Sequence, residues 1–327
     1  MRLPVEPEPS ISAPRQVSVV IPARNEARAI AAVIHAVQAQ SHPGVALEII
    51  VVDDGSDDDT AAVARLAGAL VLELEQWTDG GNPARARNCG AAMATGDPII
   101  FLDADCTPTT GWLPRLLAAH DAGAAVVGGA LDLPQRLPTT ARCDYYCGWY
   151  HVHSRRRAGT VPNHPPGNLS VRRQVFAASA GFTEQQPIAY AHEELAWQGE
   201  VQRSGGKIVF EPRAIVHHHN RPGFKNLLKR NYRWGYSAIE SKAATGAARH
   251  AWAYRHPAFL VAASVPLAIA STGYVIGCWL RAGVVEPLVM FPAVLAARLA
   301  YSAGLAAGGI RWIRHGAVAP VTRPRWE

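Results

Sequence analysis

Charged side chains are scarce in this chain of 327 residues: Asp, Glu, Lys and Arg make up 18%, against about a quarter in ordinary soluble proteins. Apolar residues reach 49%, which excludes wholesale disorder. Cysteine is equally sparse. Five residues, an odd number with no zinc-like spacing, exclude a disulfide-stapled scaffold and a zinc module. Cys143 and Cys147, four apart, would share one helix face and are read as packing. The first fifteen residues are proline-rich and hold no apolar run, so they are neither a signal peptide nor a membrane span; residues 1–16 are read as a flexible arm. The net charge of +6 is modest and lopsided. From Pro257 onward six arginines face Glu286 and Glu327, so +4 sits there and +2 on the remainder. A nucleic-acid surface would need its basic excess on the globular part. Basic residues beside apolar runs point to a membrane instead.

What is present in the first 125 residues is an alternation of apolar runs and helical patterns. Val17–Pro22, Leu47–Asp53, Leu70–Leu74 and Ile99–Asp103 read as strands. Glu26–Gln40, a segment capped by Ser56 with Asp59 three residues on, a segment opened by Pro83, and Thr110–Ala122 read as helices. Continuous β-branched runs between helices predict an α/β fold with a mainly parallel sheet covered on both faces. Ligands in such sheets bind beyond the carboxyl ends of the strands. Three polar signatures fall there: Arg24-Asn25-Glu26, Asp53-Asp54-Gly55-Ser56 and Asp103-Ala104-Asp105.

Residues 130–220 lose the alternation and hold most of the histidines. Residues 224–256 are amphipathic, basic and rich in Trp and Tyr, a composition suited to a membrane–water interface. Ala258–Leu280 is 23 residues without a charge, where crossing about 30 Å of hydrocarbon needs roughly 20. It reads as a transmembrane helix that Pro266 kinks. Leu288–Ile310 reads as a second span or as a re-entrant helix. It carries Arg298, which is costly at mid-membrane unless it faces protein, water or a lipid headgroup. Arg249, Arg255, Arg311, Arg314, Arg323 and Arg325 on the flanks place both ends, and the globular part, in the cytoplasm. The expected organisation is an arm (1–16), a catalytic domain (17–223), interfacial helices (224–256), and a membrane hairpin with a basic tail (257–327).

Asp103 and Asp105 follow a strand read as buried, and alternate residues of an extended chain face the same way. One cavity can therefore receive both, and hard oxygen ligands suit Mg²⁺ or Mn²⁺. Asp53 and Asp54 end a neighbouring strand, where a carboxylate can accept from a nucleobase imide or a ribose hydroxyl. With VSVVIPARNE at residues 17–26, DDGS at 53–56 and IIFLDAD at 99–105 in this order, the chain resembles a family 2 glycosyltransferase of the GT-A fold from about Val17 to Gly235.

The resemblance implies metal and nucleotide-sugar binding at Asp103 and Asp105, with Asp105 the direct ligand. It implies nucleotide binding at Asp54, with Pro22, Arg24 and Glu26 in the same pocket. In ARARNCG, Arg85 or Arg87 is placed to meet the diphosphate as a charge-assisted donor. PGNLSVRR resembles the acceptor-side segment and puts Asn168 beside the sugar or acceptor. An acidic pair supplies the general base in the family. Here, registering on Leu195 and Trp197 places Ala191-His192 at that pair, whereas registering on acidity places Glu193-Glu194 there. Glu193 is the first choice, with Glu194 and His192 in reserve. A histidine six residues after Pro212, His218 of the run His217–His219, would complete the metal site. RNYRW at 230–234 resembles the acceptor-side Q-x-x-R-W of processive members through Arg233 and Trp234, but an arginine replaces the glutamine, which argues against processive polymerisation.

The expected activity is inverting transfer of a sugar from a nucleoside diphosphate donor, UDP-linked, to a lipid-linked or glycan hydroxyl at the membrane, with Mn²⁺ or Mg²⁺ as cofactor. A polyprenyl-phosphate glycosyltransferase and a non-catalytic, membrane-tethered nucleotide-sugar-binding protein are the alternatives.

Overall fold

The protein is described by a computed structural model over residues 14–40, 42–76, 81–185, 191–245 and 251–316. The arm expected over 1–16 lies outside these residues except for Pro14–Gln16, as do Arg249, Arg323 and Arg325. Its last two positions are already strand, because β1 is Arg15–Ala23.

The first half follows the sequence pattern: β1, α1 (Ile30–Gln38), β2 (Val45–Asp53), α2 (Thr60–Leu66), β3 (Leu70–Glu73), α3 (Pro83–Met93), β4 (Ile99–Leu102), β5 (Cys106–Pro108) and α4 (Trp112–Asp121). Strands β3-β2-β1-β4 are parallel. Period-two alternation splits their side chains between two cores. Val17, Val19, Ile21, Ile49, Val51, Ile100 and Leu102 face α1 and α4. Val20, Ile50, Val52, Ile99 and Phe101 face α3 and the aromatic residues Phe176, Phe182 and Trp197. Helices thus cover both faces.

The stretch that lost its alternation continues the sheet as β6 (Val126–Asp132), α5 (Thr139–Gly148), β7 (Gly159–Thr160), β8 (Asn168–Val171), α6 (Arg173–Ala177), α7 (Leu195–Arg203) and β9 (Ile208–His218). The order is β3-β2-β1-β4-β8-β6-β9-β5, with β7 on β9. Beyond β4 the sheet is mixed: β8 is antiparallel to β4 and β6, while β9 is parallel to β6.

Two helices start later than their sequence signals. Ser56 does not cap α2. Its N–H and Oγ–H both donate to Asp53 Oδ1, at 2.9 and 2.5 Å, and its Oγ accepts from the Asn25 N–H at 2.9 Å. The Asp57 N–H donates to Asn25 Oδ1 at 2.8 Å. The polar residues after β1 and β2 therefore tie the two loops together instead of extending helices.

Six further helices follow among the described residues: α8 (Phe224–Thr245), α9 (Ala251–Tyr254), α10 (Pro257–Ala262), α11 (Ser264–Arg281), α12 (Glu286–Val289) and α13 (Phe291–His315). The unbroken span expected over Ala258–Leu280 is divided at Ala263. Pro266 has no N–H for the Ala262 carbonyl, so the helix breaks one turn before it. Among the described helices, α13 alone is long and apolar enough to cross a membrane by length and composition.

The helix expected at the interface is only partly exposed. Phe224 and Tyr232 are exposed, but from Gly235 to Ala243 α8 is largely enclosed. It meets α13 backbone to backbone: a Cβ at Gly235 would overlap the Tyr301 carbonyl oxygen, and one at Gly304 would overlap that of Tyr232. Arg311 is not a free basic flank, being paired with Glu240 of α8. Cys143 and Cys147 do share a buried face of α5, packed with Leu227, Trp279 and Val294 from α8, α11 and α13.

Candidate active site

The carboxyl ends of β1, β2 and β4 open into a cleft of about 470 Å³. A second chamber of about 400 Å³ adjoins it, with Arg87, Asp103, Asp105, Arg230 and Trp234 belonging to both. The cleft gathers Pro22, Arg24, Glu26, Asp54 and Arg233; the chamber gathers His192, Glu193, Glu194 and His218. Arg233, expected on the acceptor side, therefore lines the cleft with Arg24 and Asp54, and Trp234 stands between the two spaces.

Asp54 follows β2 and is buried. Its Oδ2 accepts from the Asn82 N–H, while its Oδ1 is buried with no partner among the described residues, as is Nη1 of Arg24. Burial raises the Asp54 carboxyl above its ordinary range against the pull of that hydrogen bond and Arg24. A buried acceptor without a donor is rare in a folded chain and marks a position where a ligand N–H or O–H fits. Glu26, also raised by burial, is paired with Arg221.

Arg87 is the hub. Asn82 caps α3 by accepting from the Arg85 N–H at 3.0 Å, and Pro83 opens the helix, which turns Arg87 inward. Its guanidinium donates to Asp103 Oδ1 at 2.6 Å and to Glu193 Oε1 at 2.7 Å. The side chains of Arg87 and Glu193 are 6% and 5% exposed and that of Asp103 is 26% exposed. Arg85 lines neither cavity, and its Nη1 donates to the Glu75 carbonyl at 3.3 Å.

Asp105, His218 and Cys106 bring ligand atoms within 4.8 Å of one another, while Asp103, the other expected ligand, has its Oδ1 hydrogen-bonded to Arg87. His218 Nε2 is 3.6 Å from Asp105 Oδ1. Burial holds the Cys106 thiol protonated well above its usual range, so it does not suit a hard cation.

The tautomer of His218 follows from its neighbours. The Asn220 amide donates through Nδ2 to Asp144 Oδ2 at 3.0 Å, which leaves its Oδ1 facing His218 Nδ1 at 2.9 Å. An oxygen there can only accept, so Nδ1 carries a proton and Nε2 is the ring nitrogen turned toward Asp105. A carboxylate oxygen and an aligned imidazole nitrogen fit Mn²⁺ or Mg²⁺. Asp144, which burial raises, also accepts from Arg230 Nε at 3.0 Å. Sequence reasoning missed Asp144 and Asn220. The available signal was an acid between two cysteines on an otherwise apolar helix face.

Glu193 and Glu194 lead into α7. Burial pushes Glu193 up while Arg87 opposes it, and burial plus the Glu193 charge push Glu194 to about 8. His192 adopts a left-handed backbone (φ +69°), and burial holds its ring neutral; its Nδ1 is 3.3 Å from Ser237 Oγ of α8. The structure places Asn168, expected beside the sugar or acceptor, within the sheet. It is wholly buried, accepts from Trp112 Nε1 at 2.8 Å, and donates to the Ala130 and Ala214 carbonyls at 2.9 Å. With every amide atom used, it pegs β8 to β6 and β9 and lines neither cavity.

The glycosyl transferase family 2 model matches residues 18–178. The glycosyltransferase AglE of Haloferax volcanii is 30% identical over 232 residues, 68% of this chain and 73% of that protein. The pre-mycofactocin glycosyltransferase of Mycobacterium tuberculosis is 28% identical over 240 residues, 70% of this chain; the match spans 48% of that protein, about half its length. Among solved structures, the mannosyltransferase PcManGT from Pyrobaculum calidifontis, in complex with GDP-Man and Mn²⁺, is similar in fold over 94% of this chain and 91% of that one, with a TM-score of 0.58 at 19% identity. The α/β sheet, the family match over its donor half and the Haloferax relative lead to one conclusion: the chain belongs to glycosyltransferase family 2 and carries the GT-A fold.

Proposed function

We propose that this glycosyltransferase moves a sugar from a UDP-linked donor to a hydroxyl of a lipid-linked or glycan acceptor at a membrane, with inversion at the anomeric carbon. The observation that carries the reading is the shared wall of the two cavities. Arg87, Asp103 and Asp105 stand between an unpartnered buried acceptor in the cleft and two buried acids in the chamber.

Asp54 and Arg24 would hold the nucleobase and ribose edge, since Asp54 Oδ1 awaits a donor of the kind a uracil imide offers. Asp105 and His218 would hold Mn²⁺ or Mg²⁺, which offsets the charge that grows on the departing diphosphate when bound. Arg87 adds a fixed positive charge from a buried position. Glu193, oriented by Arg87, accepts the proton of the acceptor hydroxyl. The acceptor oxygen then bonds to the anomeric carbon on the face opposite the breaking carbon–oxygen bond, whose electron pair leaves with the nucleoside diphosphate. Glu194 stays protonated at neutral pH and His192 stays neutral, which leaves Glu193 the ionisable group held by a cation.

The C-terminal helices would bring the chamber to the bilayer. Val265, Ile269, Val289 and Ile313 are more than half exposed on α11, α12 and α13. We read α13 as the membrane-inserted helix and the sheet as cytoplasmic. The test is a donor panel (UDP-, GDP- and dTDP-sugars) with Mn²⁺ or Mg²⁺, following nucleoside diphosphate release with and without membrane lipid extract. Metal-dependent, lipid-stimulated release from a UDP-sugar is expected. Tight donor binding without release under any condition overturns the catalytic reading.

A further inference from the structure

Two cations line the chamber without a carboxylate partner. Arg298 is the only charged residue between Phe291 and Ile310 of α13, the helix apolar enough to span a membrane. It is 8% exposed and belongs to the wall of the chamber that also holds Glu193 and Glu194. Its Nε donates to Ser271 Oγ of α11 at 3.1 Å, and its guanidinium lies 4.3 Å from the Tyr301 ring centroid. Lys242 of α8 lines the same wall. Its Nζ donates to the Tyr301 hydroxyl at 3.4 Å and lies 5.2 Å from the Tyr254 ring centroid.

Neighbouring cations have carboxylate partners: Arg230 pairs with Asp144, Arg311 with Glu240, and Arg142 with Glu286. No carboxylate lies within 4.0 Å of Arg298 or Lys242 among the described residues. A hydroxyl and an aromatic face satisfy part of a guanidinium, but neither supplies the counter-charge a buried cation lacks. An arginine inside an apolar helix is retained when it faces a cavity with work for it. Two cations from separate helices, bridged by Tyr301 and joined in the chamber by Tyr150, offer more donors than the two oxygens of a carboxylate can use. They match the several oxygens of a phosphate.

We propose that the acceptor of this enzyme carries a phosphate group, and that Arg298 and Lys242 seat that phosphate in the chamber so that the nucleophile meets Glu193. The inference rests on the transferase reading above and narrows its acceptor to a phosphorylated molecule. Docking makes and breaks no covalent bond; the transfer step is the one already written. The phosphate belongs to a membrane lipid or to a water-soluble phosphorylated compound, and the probes below separate the two.

The test uses the full chain in detergent micelles without divalent metal, titrated with farnesyl phosphate, farnesol and inorganic phosphate. Farnesyl phosphate is expected to bind more tightly than farnesol by about tenfold or more, the scale of one charge-assisted contact. Arg298→Gln and Lys242→Gln are expected to erase that preference without weakening farnesol. Arg298→Lys, which keeps the charge, is expected to retain part of it. Inorganic phosphate that displaces farnesyl phosphate assigns the site to the phosphate alone and to a soluble acceptor; failure to displace it assigns the site to a lipid phosphate. Equal affinity for farnesyl phosphate and farnesol, or an undiminished preference in Arg298→Gln, overturns the inference. UDP titrated with Mn²⁺ keeps the two readings apart. UDP binding without phosphate discrimination refutes the acceptor class and leaves the transferase standing. Discrimination without UDP binding does the reverse.

Discussion

Replacing Arg87 by glutamine removes the cation that Asp103 and Glu193 share. In the native protein its guanidinium reaches Asp103 and Glu193 at 2.6 and 2.7 Å. The two acids are not equivalent. Asp103 is 26% exposed, so water screens its share, whereas Glu193 is 5% exposed and left with an uncompensated charge. Breaking a buried pair from one side costs about 3–5 kcal/mol. With the Asp103 share discounted for solvent, about 3 kcal/mol falls on Glu193 at neutral pH, and the apparent melting temperature should drop by roughly 4 °C. The sign with pH is fixed by Glu193. Burial already raises its carboxyl, and loss of Arg87 raises it further. An acid whose folded value is raised contributes stability below its ordinary range and loses it as pH rises through the folded value. The deficit of Arg87→Gln should therefore be greatest at alkaline pH and shrink on acidification. Arg87→Lys should fall between, because one ammonium cannot fork to both acids. Thermal unfolding in detergent across a pH series measures this. A deficit that is absent, or that does not change with pH, refutes the shared-cation geometry.

Asn220→Leu should weaken Mn²⁺ binding by about 10- to 100-fold, the usual effect of losing the group that orients a ligating histidine; a paramagnetic-resonance titration showing unchanged affinity would falsify the tautomer argument. Glu194 is held at about 8 by burial and by Glu193, with Arg87 and Lys242 opposing. Its contribution to stability is present below its ordinary value of 4.5 and is lost as pH rises to the folded value, so the melting temperature should fall between about pH 5 and 8 in the native protein and stay flatter in Glu194→Gln. Under the proposed chemistry Glu194→Gln keeps turnover and Glu193→Gln loses it, read by nucleoside diphosphate release. Gly304→Ala should lower the melting temperature, because its methyl meets the Tyr232 backbone. Gly273→Ala on α11, where nothing lies within 4 Å, should be neutral or stabilising by about 0.5–1 kcal/mol. Equal effects of the two would refute close packing of α8 on α13.

The donor half was legible because its signals are local and redundant. Apolar runs such as LEIIVVD and IIFLD can only be buried strands, and a parallel sheet places their carboxyl ends together, so Asp54, Asp103 and Asp105 had to converge. The next stretch was illegible for a reason the structure supplies. β6 reads VVGGALD, and its two glycines look like a turn. A Cβ at Gly128 would strike the His164 ring, and one at Gly129 would strike the Asn168 amide, so both are strand positions kept bare for close neighbours. Asn168 illustrates the same limit. A motif gives a residue's position, but only the structure shows that Trp112, Ala130 and Ala214 use every atom of its amide. The hydrogen bond between Asp144 on α5 and Asn220 after β9 joins segments 76 residues apart, and no local pattern reports such a pairing.

The composition of helix α8 admits two environments. Basic and aromatic residues at helical spacing suit a membrane surface, and they equally suit a helix that sends cations into a polar chamber while small residues meet a partner helix. Gly235 in the middle of α8 favours the second, since a helix lying on lipid gains nothing from a missing side chain. The consequence reaches the chemistry. His192 contacts Ser237 of α8, Trp234 of α8 packs on Trp149 at 5.7 Å between ring centroids, and Lys242 and Arg298 close the wall. The cleft of Asp54 is built by the sheet, but the chamber of Glu193 exists only where α8 and α13 meet the catalytic half. The apolar helices therefore build part of the chamber wall, and under the proposed function Arg298, which makes α13 a poor lipid-facing helix, is the residue that ties α13 to the acceptor.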